Sequence, residues 1–400
     1  MSVKIRKIVS KSLPVAASIF LASSLAAQPQ FINNGKAGFV ISHIEYALAE
    51  DAKDSGACPN GMTETYAGPL EVFVDQPQLK EINADDENAV GQAYRLLRSD
   101  PKVKNLCMNP ELGKPDPRFH IVSGPNVPVY GIDLDGHDTK AGDPVTNTSC
   151  AHEDFLGIDG NNGVDNQFYR LMGCNNSFQS SGLGNSFAIE MLTGSWGILI
   201  TLSGVDDIRN DEDVRVGFYT NDDPIRLSPG REPLPYATYS AEQDERFRTQ
   251  ARGRIRDGVL TTEPADLRFH WFVNSMRTER PLHNAVAQLT LSEDGVLEGY
   301  LAGYTYLEDL YNFMFGFRNA TDTTGKLASW NLRAGSSIGK ALVQGHTCEG
   351  GYYSLYEVAD ADPDPETGEC TSLSVQYRIR AIPAFVIGAE SAHVVETAAR

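Results

Sequence analysis

The chain has 400 residues and a formal charge of −19 at neutral pH, with 53 acids against 34 lysines and arginines. That excess repels nucleic acid and anionic lipid, so neither is an expected partner. With 41% hydrophobic residues, 16 Tyr and 17 Phe, disorder is excluded, and roughly 350 residues beyond an N-terminal leader predict two packed units.

The leader comes first in chain order. Lys4, Arg6, Lys7 and Lys11 precede an uncharged apolar run at 13–27, the two-part form of a secretory signal. Fifteen residues fall short of the roughly 18 to 20 that a helix needs to cross hydrocarbon, so a permanent anchor is the weaker reading. A buried apolar N-terminal helix is the bland alternative, opposed by four cations with no acid before the run. Small residues at Ser24 and Ala26, or at Leu25 and Ala27 with Ala at the second position, place cleavage near 26 or 27. Ala47-Leu48-Ala49 offers a later site, as far along as residue 49. A secreted or periplasmic address follows, with no membrane span in the remaining chain. Loss of the four leader cations takes the charge to about −23.

All six cysteines, Cys58, Cys107, Cys150, Cys174, Cys348 and Cys370, lie beyond the leader. An even number in an exported chain reads as disulfides. Neighbouring order predicts Cys58 with Cys107, Cys150 with Cys174 and Cys348 with Cys370, the last two closing loops of natural hairpin size.

The segment 50–120 is expected to hold one helix, at 81–98, where acids crowd the first half, arginines the second, and Val90, Ala93, Tyr94 and Leu97 recur at helical spacing. A second, charged helical stretch is read at 241–254. Strands are predicted at 187–192, 196–203, 214–219, 267–273, 373–380 and 384–387, with hairpin turns at Asp257-Gly258 and Asp294-Gly295. These elements predict a mainly β fold of β-sandwich or jelly-roll-like sheets with a short helical N-terminal segment. The units would be a β unit at 121–225 and a second at 235–390, divided by the Pro-rich stretch 224–235.

One polar cluster stands out between residues 133 and 174. Asp133 and Asp135, two apart, point the same way from a strand, and Asp138 and Asp154 lie near them in sequence. Asp159, Asn161 and Asp165 fall at alternate places in a glycine-bearing loop, a spacing that aims several oxygens at one point. A hard cation such as Ca²⁺ takes six to eight such oxygens, so these seven residues are the candidate metal ligands. The loop is not an EF-hand, because Arg170 stands where the bidentate Glu is required. Asx turns are the competing reading of the same residues. The acidic loop 206–213 is a weaker cation candidate.

The runs GIDLDG, CAHEDF, DGNNGVDNQ and GC, with the later LTGSWGILITLSGVDD and QYRIRAIPAF, resemble a family of exported bacterial proteins of undetermined activity. The resemblance covers most of the chain beyond the leader. It implies export and one shared architecture, and it assigns no role to any position.

Catalytic signatures are weak. Gly194-Ser195-Trp196-Gly197 is one residue short of a nucleophile elbow, and a strand rather than a helix is expected after it. Gly335 to Lys340 has the wrong glycine spacing for a phosphate loop, and neither a nucleotide nor a haem motif is found. Cys150 and His152 mirror His346 and Cys348, but an oxidising compartment favours disulfides over a soft-metal site. Glu190 and Glu298 sit in strand-like segments without identifying a catalytic pair. Tyr300, Tyr304, Tyr306, Tyr311 and Trp330 would line a carbohydrate-binding face, although aromatics in a sheet are more often core. The reading that results is an exported, non-catalytic binding or surface-associated protein, calcium-stabilised. Its alternative is a secreted hydrolase of polysaccharide or ester substrates, an analogy at the level of fold.

Overall fold

Strand alternation dominates the second half of the chain, and in the computed structural model the strands share one sheet. The residues described are 31–49, 55–65, 67–98, 105–124, 126–140, 150, 152–179, 182, 184, 190–192 and 196–389. The leader, the early cleavage sites and Ser195 lie outside them. Among the described residues there are eleven strands: β1 (Lys36–Tyr46), β2 (Gly197–Ser203), β3 (Asp211–Asn221), β4 (Ala237–Ser240), β5 (Arg248–Arg256), β6 (Val259–Thr262), β7 (Ala265–Val273), β8 (Met276–Leu291), β9 (Leu297–Tyr306), β10 (Ala361–Pro363) and β11 (Cys370–Ile387).

The mainly β, sandwich-like reading holds. Antiparallel pairing runs β1-β2-β3-β5-β6-β8-β9-β11 and returns to β1, so the sheet closes on itself. Closure happens on β11, where residues 377–381 pair with β9 on one side and with β1 on the other. Closing a sheet removes the exposed edges that invite aggregation. Inward residues follow from register: Phe39 faces Ile200, Leu202 faces Val216, Ile255 faces Leu260, Leu260 faces Leu289, Leu301 faces Tyr377, and Ile44 faces Ile379. All of these lie in the apolar core.

β1 bears on where an export leader would end. Phe39, Val40 and Ile41 have no exposure, and the strand is paired on both sides. Cleavage at 49 would remove it and open the ring. The earlier site, near 26 or 27, leaves the strand intact.

Several expectations are corrected. The three disulfides are Cys58–Cys174, Cys107–Cys348 and Cys150–Cys370, none of them between chain neighbours. Because β1 and β11 meet at the closure, segments from opposite ends of the chain become neighbours, and the bridges span 116, 241 and 220 positions. Cys150–Cys370 ends on β11, while Cys107–Cys348 ends on the helix Cys348–Glu357. The 81–98 helix is shorter, Ala89–Arg98, because Asn83 and Asp86 accept hydrogen bonds from the N–H groups of Asp85 and Asn88 and hold turns instead. At 241–254 there is no helix beyond the turn Glu245–Phe247. Arg248–Arg256 is β5, with Ala251 and Ile255 buried and Arg252, Arg254 and Arg256 exposed. Period-two alternation overrides the local charge pattern there. Of the 187–192 strand, residues 190–192 are helical and the rest lie outside the described residues. The stretch 224–235 joins β3 to β4, and β3 pairs with β5 across it, so it does not separate two sheet units. The two expected strands at 373–380 and 384–387 are one, β11.

Both hairpin turns form where expected. Asp257 and Gly258 have φ of 53° and 82°, the left-handed pair of a tight hairpin between β5 and β6, and Gly295 sits in the β8–β9 turn at 86°. The helices Trp330–Gln344 and Cys348–Glu357 were not anticipated. Gly335 and Gly339 fall inside the first of them, far from the loop geometry that binds phosphate.

Candidate metal centre

The outer face of β11 carries polar residues that have no exposure, Ser372, Ser374 and Gln376. Buried polar side chains need partners, and here the covering loop supplies them. Ile132 N–H donates to Gln376 Oε1 at 2.8 Å, while Gln376 Nε2 donates to the carbonyls of Ile132, at 2.8 Å, and Asp165. Gln167 N–H donates to Ser374 Oγ at 2.9 Å, which fixes the start of the helix Gln167–Met172 against the strand. Asn166 caps that helix, accepting from Tyr169 N–H at 3.1 Å and donating to the carbonyls of Ala47 and Tyr130. Gly131 is required at this approach. Its φ is 151°, and a Cβ there would stand 2.7 Å from Gln376 Oε1 and from Val164.

Against this support the loop gathers its acids. Asp133, Asp135 and Asp165 each offer an oxygen within 4.8 Å of the others. Asp165 Oδ2 accepts from Leu134 N–H at 2.6 Å, Asp133 Oδ1 from Gly136 N–H at 2.6 Å, and Asp135 Oδ1 from His137 N–H at 2.8 Å. The bonds of Asp133 and Asp135 are local, Asx-type turns, whereas that of Asp165 reaches across the loop to Leu134. Asp154 is buried beside the group, hydrogen-bonded to Asp165 and, through Oδ2, to Thr139 N–H at 2.7 Å.

Burial, with like charges close by, pushes the carboxyls of both Asp154 and Asp165 upward. Asp360, which accepts from Ser374 N–H at 2.8 Å, is raised to about 7, first by burial and then by Asp154. Tyr304 is also pushed up, by burial and by Asp165, Asp360 and Asp135. Crowded carboxylates of this kind accept either protons or a cation, and an all-oxygen donor set suits a hard ion.

The other candidate ligands lie elsewhere. Asp138 pairs with Lys140 at 3.1 Å. Asp159 stands near Tyr300, and Asn161 closes its own turn, its carbonyl accepting from Gly157 N–H at 2.6 Å. Asp360 was missed, since more than 190 residues separate it from the loop and only β11 brings it there. In the loop 206–213, Asp211 accepts from the N–H groups of Asp206 and Asp213, and Glu212 pairs with Arg256 at 3.0 Å.

The five aromatics do not share a face. Tyr311 is fully buried with its hydroxyl on the Cys107 carbonyl, Trp330 Nε1 donates to the Arg98 carbonyl, and Tyr306 packs on His283. The cysteines of the Cys/His pairs are all in disulfides.

A second group was not foreseen: Asp222, Glu242 and His270, whose ligand atoms also lie within 4.8 Å of one another. They come from the end of β3, the segment after β4 and the middle of β7. Among the described residues no helix is long and apolar enough to cross a membrane. Comparison of the chain with models of protein families, with curated proteins and with solved structures found no match.

Proposed function

We propose that the chain is an exported, non-catalytic binding or surface-associated protein whose β barrel is stabilised by calcium held at Asp133, Asp135 and Asp165. The convergence of three carboxylates within 4.8 Å, with Asp154 hydrogen-bonded to Asp165, carries this reading. The ion neutralises charge that the fold otherwise has to crowd into a half-buried loop, and it locks that loop over β11. Three disulfides support an oxidising compartment, where millimolar calcium is sufficient for a modest site. The resemblance to exported bacterial proteins is consistent with this address.

The test is thermal unfolding of the exported chain with and without a chelator. Calcium at about 100 times Kd is expected to add about 2.7 kcal/mol, and Asp165→Asn to abolish that gain. Equal stability in chelator and calcium would overturn the calcium site. N-terminal sequencing of the exported protein is expected to find a start near residue 27 or 28, upstream of β1. Turnover of any member of a glycan and ester panel by the purified chain would replace the non-catalytic reading with the hydrolase.

A further inference from the structure

We infer that Asp222, Glu242 and His270 form a second, chemically different metal site, one for Zn²⁺ or a related first-row divalent ion. The inference is independent of the calcium reading. His270 has no exposure, and neither of its ring nitrogens has a hydrogen-bond partner. Its Nε2 points toward Asp222 Oδ1 at 3.4 Å. A buried imidazole left without partners is costly, and a core histidine retained for packing would be expected to bond at least one nitrogen.

The charges around the imidazole leave room for a cation. Arg277 takes the other Asp222 oxygen at 3.2 Å, so Oδ1 remains available. Glu242 Oε1 accepts from the N–H groups of Gln243 and Asp244, which orients the carboxylate and leaves its second oxygen for a metal. Arg246 is occupied by Asp244 and Glu279, and Arg268 by Glu279. Two carboxylates against Arg277 give a local charge of about −1 beside a neutral imidazole, which a divalent ion reverses. One nitrogen and two carboxylate oxygens match a three-ligand zinc set with a position left open. Calcium, which takes oxygen ligands, is disfavoured by the imidazole. Asp222 is exposed, so the ion has a way in.

The test uses the full exported chain, stripped with chelator, resupplied with CaCl₂, and titrated with ZnCl₂ by calorimetry and with CoCl₂ by visible absorption. One saturable equivalent is expected, with cobalt bands of a site containing nitrogen. His270→Gln and the double variant Asp222→Asn/Glu242→Gln should each weaken zinc binding by about tenfold or more. Asp165→Asn should leave it unchanged, which separates this site from the first. Circular dichroism verifies that each variant is folded; the double variant alters partly exposed groups and keeps the test decisive if His270→Gln unfolds. No saturable equivalent in folded protein, or an equivalent that the double variant retains, would overturn the proposal.

Discussion

Glu349 shows how a single buried group sets a pH dependence. It lies in the helix Cys348–Glu357, accepts from Gln76 Nε2 at 3.3 Å through Oε1, and has no partner for Oε2. Burial pushes its carboxyl up to about 7, so the folded chain holds a proton that the unfolded chain releases near pH 4.5. Stability from this group is therefore present below about pH 4.5 and is lost as pH rises toward 7 and beyond. Glu349→Gln removes that dependence. Relative to the parent, the variant is expected to gain progressively from pH 5 to pH 8, by about 3 kcal/mol at most, read from urea unfolding at each pH. His346, lowered to about 4 by its burial, is present in both proteins and cancels in the difference.

Gln376 acts at the same scale on the acidic loop. Its side chain reproduces the pairing that a neighbouring strand would offer, donating and accepting on Ile132. Gln376→Ala would leave two backbone groups of Ile132 and the carbonyl of Asp165 unpartnered, at a cost of about 3 kcal/mol. Calcium should then bind more weakly, because the carboxylates lose their fixed support. An unchanged calcium affinity in a folded Gln376→Ala protein would show that the loop is held by other contacts.

At the scale of elements, the long-range disulfides decide how the helical segments attach. Cys107 follows the described helix at 89–98, and Cys348 begins the helix Cys348–Glu357, so this bridge joins the first third of the chain to the last. Cys150–Cys370 ties the acidic loop to the start of β11. Non-reducing peptide mapping should recover the three pairs 58–174, 107–348 and 150–370 and none between chain neighbours. Replacing both Cys150 and Cys370 by Ser is expected to cost about 2–5 kcal/mol, the larger figure following from the length of the closed loop. It should also lower calcium affinity, since Cys150 lies in the chain between the proposed ligands Asp135 and Asp165.

At the scale of the whole molecule, a ring of antiparallel strands explains why so many distant residues cooperate. The closing strand β11 pairs inward-facing apolar residues with β9 and β1 while presenting Ser374 and Gln376 outward to a loop that lies some 200 positions earlier. Elements that report on local chemistry were legible in the sequence: the two Asp-Gly hairpins, the apolar strand at β2, and the turn-forming acids from Asp133 to Asp135. The helix read at 241–254 failed because the arginines of β5 alternate with buried residues, Arg252, Arg254 and Arg256 on one face and Ala251 and Ile255 on the other. The helices after residue 330 went unnoticed because glycines and serines interrupt their apolar stripe.

Composition and local spacing, by themselves, determined the mainly β class, the hairpin turns, the even set of oxidisable cysteines and the presence of an oxygen-rich loop. Each of these depends on residues within a few positions of one another. Tertiary structure alone decided which cysteines meet, that β1 and β11 close the sheet, that Asp360 joins the acids near Asp165, and that His270 faces Asp222 and Glu242. Those contacts arise between segments separated by tens to hundreds of residues, and register across strands, not spacing along the chain, brings them together.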